Sequence, residues 1–408
     1  MKKKVIIFGD DPRTCTGFGT IVDHLVDAVT SMDYVPVIVG LKSVPSLDYQ
    51  KAVIYNGQEH ADASGFLTLN RILSLEKPVA VISIGDPWDL QGIVEIKKKH
   101  SFFWIGYMPV ESTPFSRYIL LSHKPQQYLD TAYLLRHMDH IVTYSDFGKT
   151  AIKAMMNEAF CHNQEKTIPE LTRIYLGVDA NIFRPKNKIN ARKVFSGAMP
   201  SDTILFSCVK MNSMRAGFDT LLKAWSKYMI KAEKTAPDLA RKSKLYLHTN
   251  TEGSGYPLPV VMKHYGIGES VVLNSSIGPG KKFPQTDMVD MYNSTDITVS
   301  ATRGEGFGLN ILESLSCKVP CIVPNCGCPA EYGGNAVKRV PIAATYNPDF
   351  ATTDFSIINA EVMSDMMLAL ARDPEKRMKM GEEGQKIAET MSWEKFINHW
   401  KGILTTLL

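Results

Sequence analysis

The sequence predicts an α/β protein made of two doubly wound domains in tandem, and three observations support this class. Short apolar runs typical of buried strands alternate with longer helical patterns, as in parallel sheets that helices cover on both faces. This alternation stops around residues 182–202 and then starts again. The chain has 408 residues, which exceeds what one hydrophobic core ordinarily holds.

Five strand candidates and an early helix justify the first domain. Each candidate ends near Gly, Asp, Ser or Pro, and the first is followed directly by a segment of helical periodicity. A strand, a Gly-containing loop and a helix in this order begin a doubly wound domain. The strand candidates are VIIFG (5–9), PVIVG (36–40), AVISIG (80–85), FFWIGYM (102–108) and HIVTYS (140–145), and the helix is TIVDHLVDAVTSM (20–32).

A linker and a second set of elements justify the second domain. Residues 182–202 are rich in Lys, Arg, Asn and Pro, which predicts a linker. The strand candidates that follow are ILFSCV (204–209), KLYLHT (244–249), VVLN (271–274), ITVSA (297–301) and PCIVP (320–324), with helices at 218–234, 288–295, 309–316 and 362–373. Ligands of open α/β sheets bind at the carboxyl ends of the strands, so we expect the active site in a cleft between the domains.

Composition and the amino terminus exclude several functional classes. The net charge is +4 and the pI is near 8.5, a mild basicity that is not the footprint of a dedicated nucleic-acid binder. The start MKKKVIIFGDD has too short an apolar run for a secretory signal. No stretch approaches ~18 uninterrupted apolar residues, so we expect no transmembrane helix and a cytoplasmic protein.

Four cysteines, Cys317, Cys321, Cys326 and Cys328, crowd together and raise the question of a zinc site. Their spacing matches no common paired C-x2-C framework, and no histidine lies nearby. The alternative is that they are small buried residues around a strand and in the loop that follows it. We therefore expect no metal site.

The first loop, GDDPRTCTGFGT (9–20), ends in two glycines just before the predicted helix. Gly17 and Gly19 bracket Phe18, and Thr20 is the expected cap of the helix. Backbone amides at a helix start suit a phosphate or a sugar hydroxyl. A tight turn that merely needs glycine is the alternative, and the sequence leaves both interpretations open.

The stretch RGEGFGLNILES (303–314) combines a glycine-rich loop with two carboxylates. It follows a predicted strand and opens a predicted helix. Gly306 and Gly308 would let the first backbone amides of that helix approach a phosphate closely. The amides concerned belong to Phe307, Gly308, Leu309 and Asn310.

The two carboxylates of this stretch, Glu305 and Glu313, are spaced to flank a phosphate without touching it. Glu313 lies ~7 Å further along the helix axis at ~1.5 Å per residue. Carboxylates accept hydroxyl protons, so the pair indicates a diphosphate with hydroxyl-rich groups on both sides, as in a nucleotide sugar. The alternative makes Glu305 a dipole partner and Glu313 a solvated residue, which the apolar neighbours Ile311, Leu312 and Leu315 argue against.

These residues resemble a known enzyme family. The segment EGFGLNILE (305–313) resembles the E-x7-E motif of retaining GT-B glycosyltransferases, family four in particular. The run that follows it, up to Glu331, is similar to the continuation of that motif. YLGVDANIFRP (175–185) resembles the interdomain signature of the family, and SWEKFINHW (392–400) resembles its C-terminal helix.

The resemblance implies a fold and a division of roles. It implies a GT-B fold of two Rossmann-like domains that face each other across a cleft, with domains at 1–185 and 186–385 and a helix at 386–408 that returns to the N-terminal domain. It also implies that Glu305 binds hydroxyls of the donor sugar and that Glu313 binds the ribose. The amides of Phe307 to Asn310 would hold the distal phosphate and sugar, while Gly17 and Gly19 would close over the donor.

The chain departs from the family pattern in two places. The family usually has an Arg and a Lys six residues apart after the first strand of the second domain, and CVKMNSMRAGFDTLL (208–222) instead offers Lys210 and Arg215. We expect these two to neutralise the diphosphate, since the family needs no metal. A family histidine in the first domain is missing from WIGYMPVESTP (104–114). Glu111 in this segment is expected to contact the sugar or the acceptor, and a loop-capping role is the alternative.

The expected activity is retaining transfer of a sugar from a UDP- or GDP-sugar to a hydroxyl acceptor, without a cofactor. A nucleotide-sugar epimerase of the same fold and a non-catalytic subunit that binds nucleotide sugars are the alternatives. The acceptor stays open between a glycan, a lipid-linked sugar and hydroxylated DNA bases. Asp86 and Trp88 suit stacking on a sugar or an unpaired base, although Trp88 in the core is the alternative. The lysines at 2–4 and 97–99 could bind phosphates, including those of a nucleic acid, and the alternative is that they are solvated surface charges.

Overall fold

A computed structural model of the chain describes residues 2–14, 16–43, 48–59, 62–113, 118–120, 128–160, 168–196, 199–251, 255–274, 284–348 and 353–408. The chain forms two compact units. The first comprises Met1–Leu176 and Trp393–Leu408, with a short piece at Phe350–Thr353, and the second comprises Gly177–Asp349 and Asp354–Ser392. The first long segment of the first unit ends at Leu176, whereas the expected domain boundary is at residue 185.

The first unit contains a seven-stranded parallel sheet among its described residues. The strands of this unit are β1 (Lys4–Asp10), β2 (Val35–Leu41), β3 (Val53–Asn56), β4 (Ala80–Ile84), β5 (Phe103–Met108), β6 (Tyr118–Leu120), β7 (Tyr128–Asp130), β8 (His140–Thr143) and β9 (Glu170–Arg173). The order in the sheet is β3-β2-β1-β4-β5-β8-β9, and β6 pairs with β7 as a separate antiparallel ladder. The central strands are buried on both faces, which is why they appear in the sequence as continuous apolar runs.

Helices cover this first sheet. They are α1 (Gly17–Thr30), α2 (Phe66–Glu76), α3 (Ile93–Lys97), α4 (Thr131–Leu135), α5 (Asp146–Phe160) and, from the carboxyl end of the chain, α15 (Trp393–Leu407). Helix α15 packs on α1, where the Trp393 ring stacks on His24 with centroids 3.9 Å apart. Trp400 of α15 is fully buried and meets the Tyr107 ring of β5 edge-on at 5.2 Å. The last helix is therefore part of the first unit's core.

The second unit contains a six-stranded parallel sheet in the described part of the chain. The strands of this unit are β10 (Ile204–Val209), β11 (Ser243–His248), β12 (Val271–Leu273), β13 (Ile297–Val299), β14 (Cys321–Pro324), β15 (Val337–Val340), β16 (Ile342–Tyr346) and β17 (Phe355–Ile358). The order in the sheet is β12-β11-β10-β13-β14-β15, and β16 and β17 form an antiparallel hairpin. The predicted fold class, two parallel-sheet α/β domains, is confirmed.

The helices of the second unit are α6 (Lys188–Ser196), α7 (Phe218–Thr235), α8 (Pro237–Lys242), α9 (Leu258–His264), α10 (Gln285–Ser294), α11 (Leu309–Ser316), α12 (Gly327–Tyr332), α13 (Ala360–Arg372) and α14 (Pro374–Glu389). Helices α7 and α13 pack together on one face of the sheet around Phe206, Trp225 and Tyr228, which are fully buried. No helix in the described residues is both long and apolar enough to cross a bilayer.

The prediction that residues 182–202 form a linker is wrong, because this segment contains helix α6. The helix is held by ionic contacts rather than by an apolar stripe. Arg192 Nη2 donates to Asp296 Oδ2 at 2.6 Å, and both side chains are only 8% exposed. Asp296 also accepts from the Leu205 amide at 2.8 Å, so the pair ties α6 to the start of β10.

Replacing Arg192 should therefore destabilise the second unit. Arg192→Met leaves Asp296 with the lysine at 188 as its remaining cationic partner, and we expect unfolding to cost about 2–4 kcal/mol less than in the wild type. The measurement is urea unfolding followed by circular dichroism. Lys193→Met on the same helix, where the side chain is exposed, is the matched control and should change little. Equal stability of the two variants would contradict a structural role for the ion pair.

Candidate active site

The parallel topology of the second sheet brings two loops of the predicted site to one edge. Strands β10 and β13 are hydrogen-bonded neighbours and run in the same direction. Their carboxyl ends therefore lie side by side, and the loops that leave them begin together. Lys210 immediately follows β10, and the glycine-rich stretch with Glu305 lies in the connection from β13 to α11.

Lys210 and Glu305 form an ion pair at this edge, in which Lys210 Nζ donates to Glu305 Oε2. The two side chains are 13% and 12% exposed, so the contact is largely shielded from solvent. Asn310 in the first turn of α11 donates from Nδ2 to the Val209 carbonyl at 3.0 Å, which attaches the helix start to the end of β10. The structure thus joins the end of β10 to the Glu305–Asn310 stretch, which lies far from it in the sequence.

Arg215 reaches the same loop from a single 3-10 turn, Met214–Ala216. Its Nη1 donates to the Gly304 carbonyl at 3.0 Å, one residue before Glu305. Both cations that the sequence offered for a diphosphate, Lys210 and Arg215, therefore converge on the Glu305 loop. An anion bound at this edge would find two positive charges and one negative charge within the same small volume.

The start of α11 has a backbone geometry that requires glycine. Gly308 precedes the helix with φ of +80° and provides no side chain to cap it. A Cβ at this position would lie 2.7 Å from Pro329 Cγ. The Phe307 ring packs on Tyr332 at 5.3 Å, and Tyr332 Oη donates to the Gly308 carbonyl at 3.0 Å. The loop is thus fixed. The Ile311 amide donates to the Gly308 carbonyl at 2.9 Å, and the amides of Leu309 and Asn310 precede this first bond of the helix.

Glu313 lies further along α11, where its side chain is partly buried. Tyr292 of α10, itself fully buried, donates from Oη to Glu313 Oε2 at 2.9 Å. Burial raises the pKa of Glu313 to about 7, and the Tyr292 hydrogen bond lowers it in part. Tyr292 is a site residue that the sequence analysis missed, since an aromatic residue in an apolar helix gives no signal of its partner.

Two expected site residues of the first unit, Asp86 and Glu111, influence a buried tyrosine. Tyr144 follows β8, and burial raises its pKa well above the ordinary value, with contributions from the charges of Asp86, Glu111 and Asp10. Asp10 ends β1, Asp86 follows β4 and Glu111 follows β5, and these adjacent parallel strands place the three residues at the carboxyl edge of the first sheet. Trp88 is partly buried and packs against the hydrophobic core of this unit.

The glycines of the first loop have different surroundings. Helix α1 begins at Gly17, and the side chain that caps it is Thr16, so the expectation that Thr20 is the cap is wrong. Thr16 Oγ1 accepts from the Gly19 amide at 3.0 Å and donates to Asp10 Oδ2 at 2.7 Å. The Gly19 amide therefore serves the cap, whereas Gly17 is exposed.

The clustered cysteines do not form a metal-ligating group within the described ranges, where the group of suitable geometry is Asp23, His24 and Asp27. Cys317, Cys321 and Cys328 are buried, and burial raises the pKa of Cys321 to about 12. Burial raises the pKa of Cys317 as well, so these two thiols stay protonated, and all three cysteines act as small core residues. Lys51 forms ion pairs with both Asp23 and Asp27, and this cation compensates part of their negative charge.

Comparison with known proteins links the second unit to a family. Residues 279–387 match the family model "Glycosyl transferases group 1". Among curated relatives, a D-inositol 3-phosphate glycosyltransferase from Thermobifida fusca is 22% identical over 228 residues, 56% of this chain and 48% of that protein. Its counterpart from Thermobispora bispora is 30% identical over 162 residues, 38% of this chain and 35% of that protein. The chain thus matches less than half the length of these relatives.

Solved structures resemble the whole chain. Sucrose-phosphate synthase from Thermosynechococcus elongatus has a TM-score of 0.74 at 14% identity and covers 100% of this chain and 99% of that chain. Anabaena HepE in complex with UDP-glucose has a TM-score of 0.68 at 12% identity and covers 99% and 100%. Identities this low establish the fold alone. Residues 279–387 thus carry a glycosyltransferase group 1 domain within a chain of the GT-B fold.

Proposed function

We propose that this protein is a retaining glycosyltransferase that moves a sugar from a nucleoside diphosphate sugar to a hydroxyl acceptor. The observation that carries the proposal is the convergence of Lys210, Arg215 and Glu305 at the carboxyl edge of the second sheet, beside the start of α11. A diphosphate needs cations and backbone amides, and a sugar needs hydroxyl acceptors. This edge offers all three kinds of group.

The donor diphosphate is assigned to Lys210, Arg215 and the amides of Phe307, Gly308, Leu309 and Asn310. As the bond to the sugar breaks, negative charge grows on the leaving phosphate, and fixed cations and helix-start amides stabilise it. The proposal assigns this task to the protein's own cations and requires no metal ion. The match to group 1 glycosyltransferases in the second unit supports this assignment.

Glu305 and Glu313 are assigned to the two hydroxyl-rich ends of the donor. Glu305 would accept hydrogen bonds from the sugar, and Glu313, which is further along the helix, would accept them from the ribose. Hydrogen bonds to a carboxylate contribute about 1.5–3 kcal/mol each, roughly twice the neutral kind. Lys210 keeps Glu305 compensated when no sugar is present, so a loop that binds an anion can carry a carboxylate of its own.

The chemical step is transfer on the same face of the sugar. The departing phosphate takes the proton of the acceptor hydroxyl while that hydroxyl forms the new bond at the anomeric carbon. No strong protein base is then needed, and the product keeps the donor's anomeric configuration. Glu111, together with Asp86 and Trp88, is assigned to the acceptor side, and Gly17 and Gly19 to the closure over the donor.

The nucleotide and the acceptor are proposed by class only. Structures of Anabaena HepE contain UDP or UDP-glucose, which makes UDP-sugars the first donors to test, with GDP-sugars beside them. The curated relatives act on D-inositol 3-phosphate, so small polyols and their phosphates are the first acceptors to test. Glycans, lipid-linked sugars and hydroxylated DNA follow in the same panel.

Removing the charge of Glu305 should abolish most of the transfer. Glu305→Gln loses two charge-assisted hydrogen bonds to the donor sugar, and we expect kcat/KM to fall about 10²–10³-fold. Sugar transfer is measured in the presence of EDTA, with circular dichroism as the check on folding. Glu389→Gln, on an exposed position of α14, is the control and should keep full activity. Wild-type activity in Glu305→Gln contradicts the assignment, and a requirement for added Mg²⁺ contradicts its metal-free part.

The pKa of Glu313 predicts opposite effects on stability and binding. Its folded-state pKa is about 7, above the ordinary value of 4.5, so its contribution to stability is most favourable below pH 4.5 and is lost as pH rises towards 7. Glu313→Gln should therefore stabilise the protein at pH 8 by about 1–3 kcal/mol and leave it unchanged at pH 4.

Donor binding should follow the reverse trend, because the ionised carboxylate is the better acceptor for ribose hydroxyls. The wild type should bind UDP or GDP more tightly as pH rises through about 7, whereas Glu313→Gln should bind more weakly at pH 8 and show a flatter profile. Calorimetric unfolding and titration calorimetry at both pH values test this pair of effects. Parallel pH profiles of the two proteins would exclude Glu313 from the donor site.

A further inference from the structure

A buried arginine, Arg303, links the Glu305 loop to the segment that carries Arg215 and to the hairpin of β16 and β17. It lies two residues before Glu305 and is 6% exposed. Its guanidinium donates from Nη2 to Asp219 Oδ2 at 2.6 Å and from Nη1 to Tyr346 Oη at 2.8 Å. The Tyr256 ring lies 5.8 Å from the same group. A buried charge is costly unless several partners compensate it, and these contacts supply that compensation.

The backbone amide and carbonyl of Arg303 are both hydrogen-bonded as well. Its amide donates to the Arg215 carbonyl at 2.8 Å, and its carbonyl accepts from the Ser356 amide at 2.8 Å. The neighbouring Thr302 hydroxyl also reaches the Arg215 carbonyl, at 3.3 Å. Arg303 thus lies between the turn that carries Arg215 and the hairpin of β16 and β17.

These contacts pin both ends of one short segment, 215–219. The Arg215 end is held through the backbone of Arg303, and the Asp219 end through its guanidinium. Between them, Gly217 has φ of +68°, and a Cβ there would lie 2.1 Å from the Ala301 carbonyl oxygen. The segment therefore lies against the strand exit that leads to Glu305, at backbone contact distance.

The consequence is geometric, because this segment sets where the Arg215 side chain can reach. Arg215 Nη1 contacts the Gly304 carbonyl, which adjoins both Arg303 and Glu305 in the chain. If Asp219 were released, the first turn of α7 and the 3-10 turn before it would lose their tie to the Glu305 loop. Arg215, the proposed cation for the diphosphate, and Glu305, the proposed carboxylate for the sugar, would then no longer keep a fixed separation.

We propose that Arg303 is a positioning residue for the donor site, which sets Arg215 relative to Glu305 through its bonds to Asp219 and to the β16–β17 hairpin. The inference rests on the proposed function, since it assigns Arg303 a part in nucleotide-sugar binding without contact to the donor. If Arg303 positions Arg215, replacing Arg303 lowers activity only while Arg215 is present. General support of the fold would instead lower activity whether or not Arg215 is present.

A double-mutant cycle tests this coupling. Arg303→Met, Arg215→Ala and the double variant are assayed for KM and kcat towards the nucleotide sugar. We expect Arg303→Met to lower donor kcat/KM about 10–100-fold in the wild-type background, mainly through KM, and no more than about threefold in the Arg215→Ala background. The acceptor KM stays unchanged. Losses that multiply in the double variant would overturn the proposal.

Folding is separated from positioning by milder variants. Asp219→Asn removes the negative charge of one partner of Arg303, and Tyr346→Phe removes the hydroxyl of another. Both leave the buried arginine in place, so they replace Arg303→Met in the cycle if that variant does not fold. Arg377→Met is the control for removing an arginine that bonds to backbone carbonyls of the same unit, and it should leave donor KM unchanged. A wild type that transfers no sugar from any nucleotide sugar refutes the proposed function itself, whereas an active wild type with multiplicative losses refutes only the role of Arg303.

Discussion

The ion pair between Lys210 and Glu305 is the contact on which the proposed site depends. It joins the loops that leave two adjacent parallel strands, and it lets a carboxylate lie inside a loop suited to an anion. Without a cation, Glu305 would repel a phosphate at the start of α11. With Lys210 beside it, the same edge presents a net positive charge, because Arg215 adds a second cation through the Gly304 carbonyl. The sheet order and the fixed geometry of Gly308 place these groups.

In the proposed site, Glu313 would bind the donor at a cost to stability. A largely buried carboxyl whose pKa is raised to about 7 destabilises the folded chain near neutral pH, and Tyr292 offsets only part of that effect. Arg303 is the positive counterpart, a buried cation whose partners hold the site together rather than touch the donor. Residues that lower stability or demand several partners concentrate at this edge, as expected where selection acts on function rather than on the fold.

The sequence predicts the fold well where burial is two-sided and poorly at the edges. The central strands β1, β4 and β10 stand out as apolar runs, but β3, β9 and β15 lie at sheet edges and carry polar residues, so their periodicity gave no signal. The sequence pattern of helix α6 predicts a linker because the helix has no apolar stripe. The Arg192–Asp296 pair holds it instead. The spacing of the motif predicts a role for both glutamates, and the resemblance to the family predicts one for Lys210 and Arg215. Arg303, Tyr292 and Tyr144 were missed because their surroundings depend on partners remote in sequence.

The division of labour between cations and carboxylate is the central claim, and comparing nucleotide and nucleotide-sugar affinities tests it most directly. Titration calorimetry of wild type and Glu305→Gln with UDP, GDP and the corresponding glucose conjugates separates the two contributions. Glu305→Gln should bind the free nucleoside diphosphate as tightly as the wild type or more tightly, because Lys210 then no longer pairs with a carboxylate and can bind the phosphate. The additional affinity for the attached sugar should disappear. Equal weakening of nucleotide and nucleotide sugar, or no change in either, would contradict the claim.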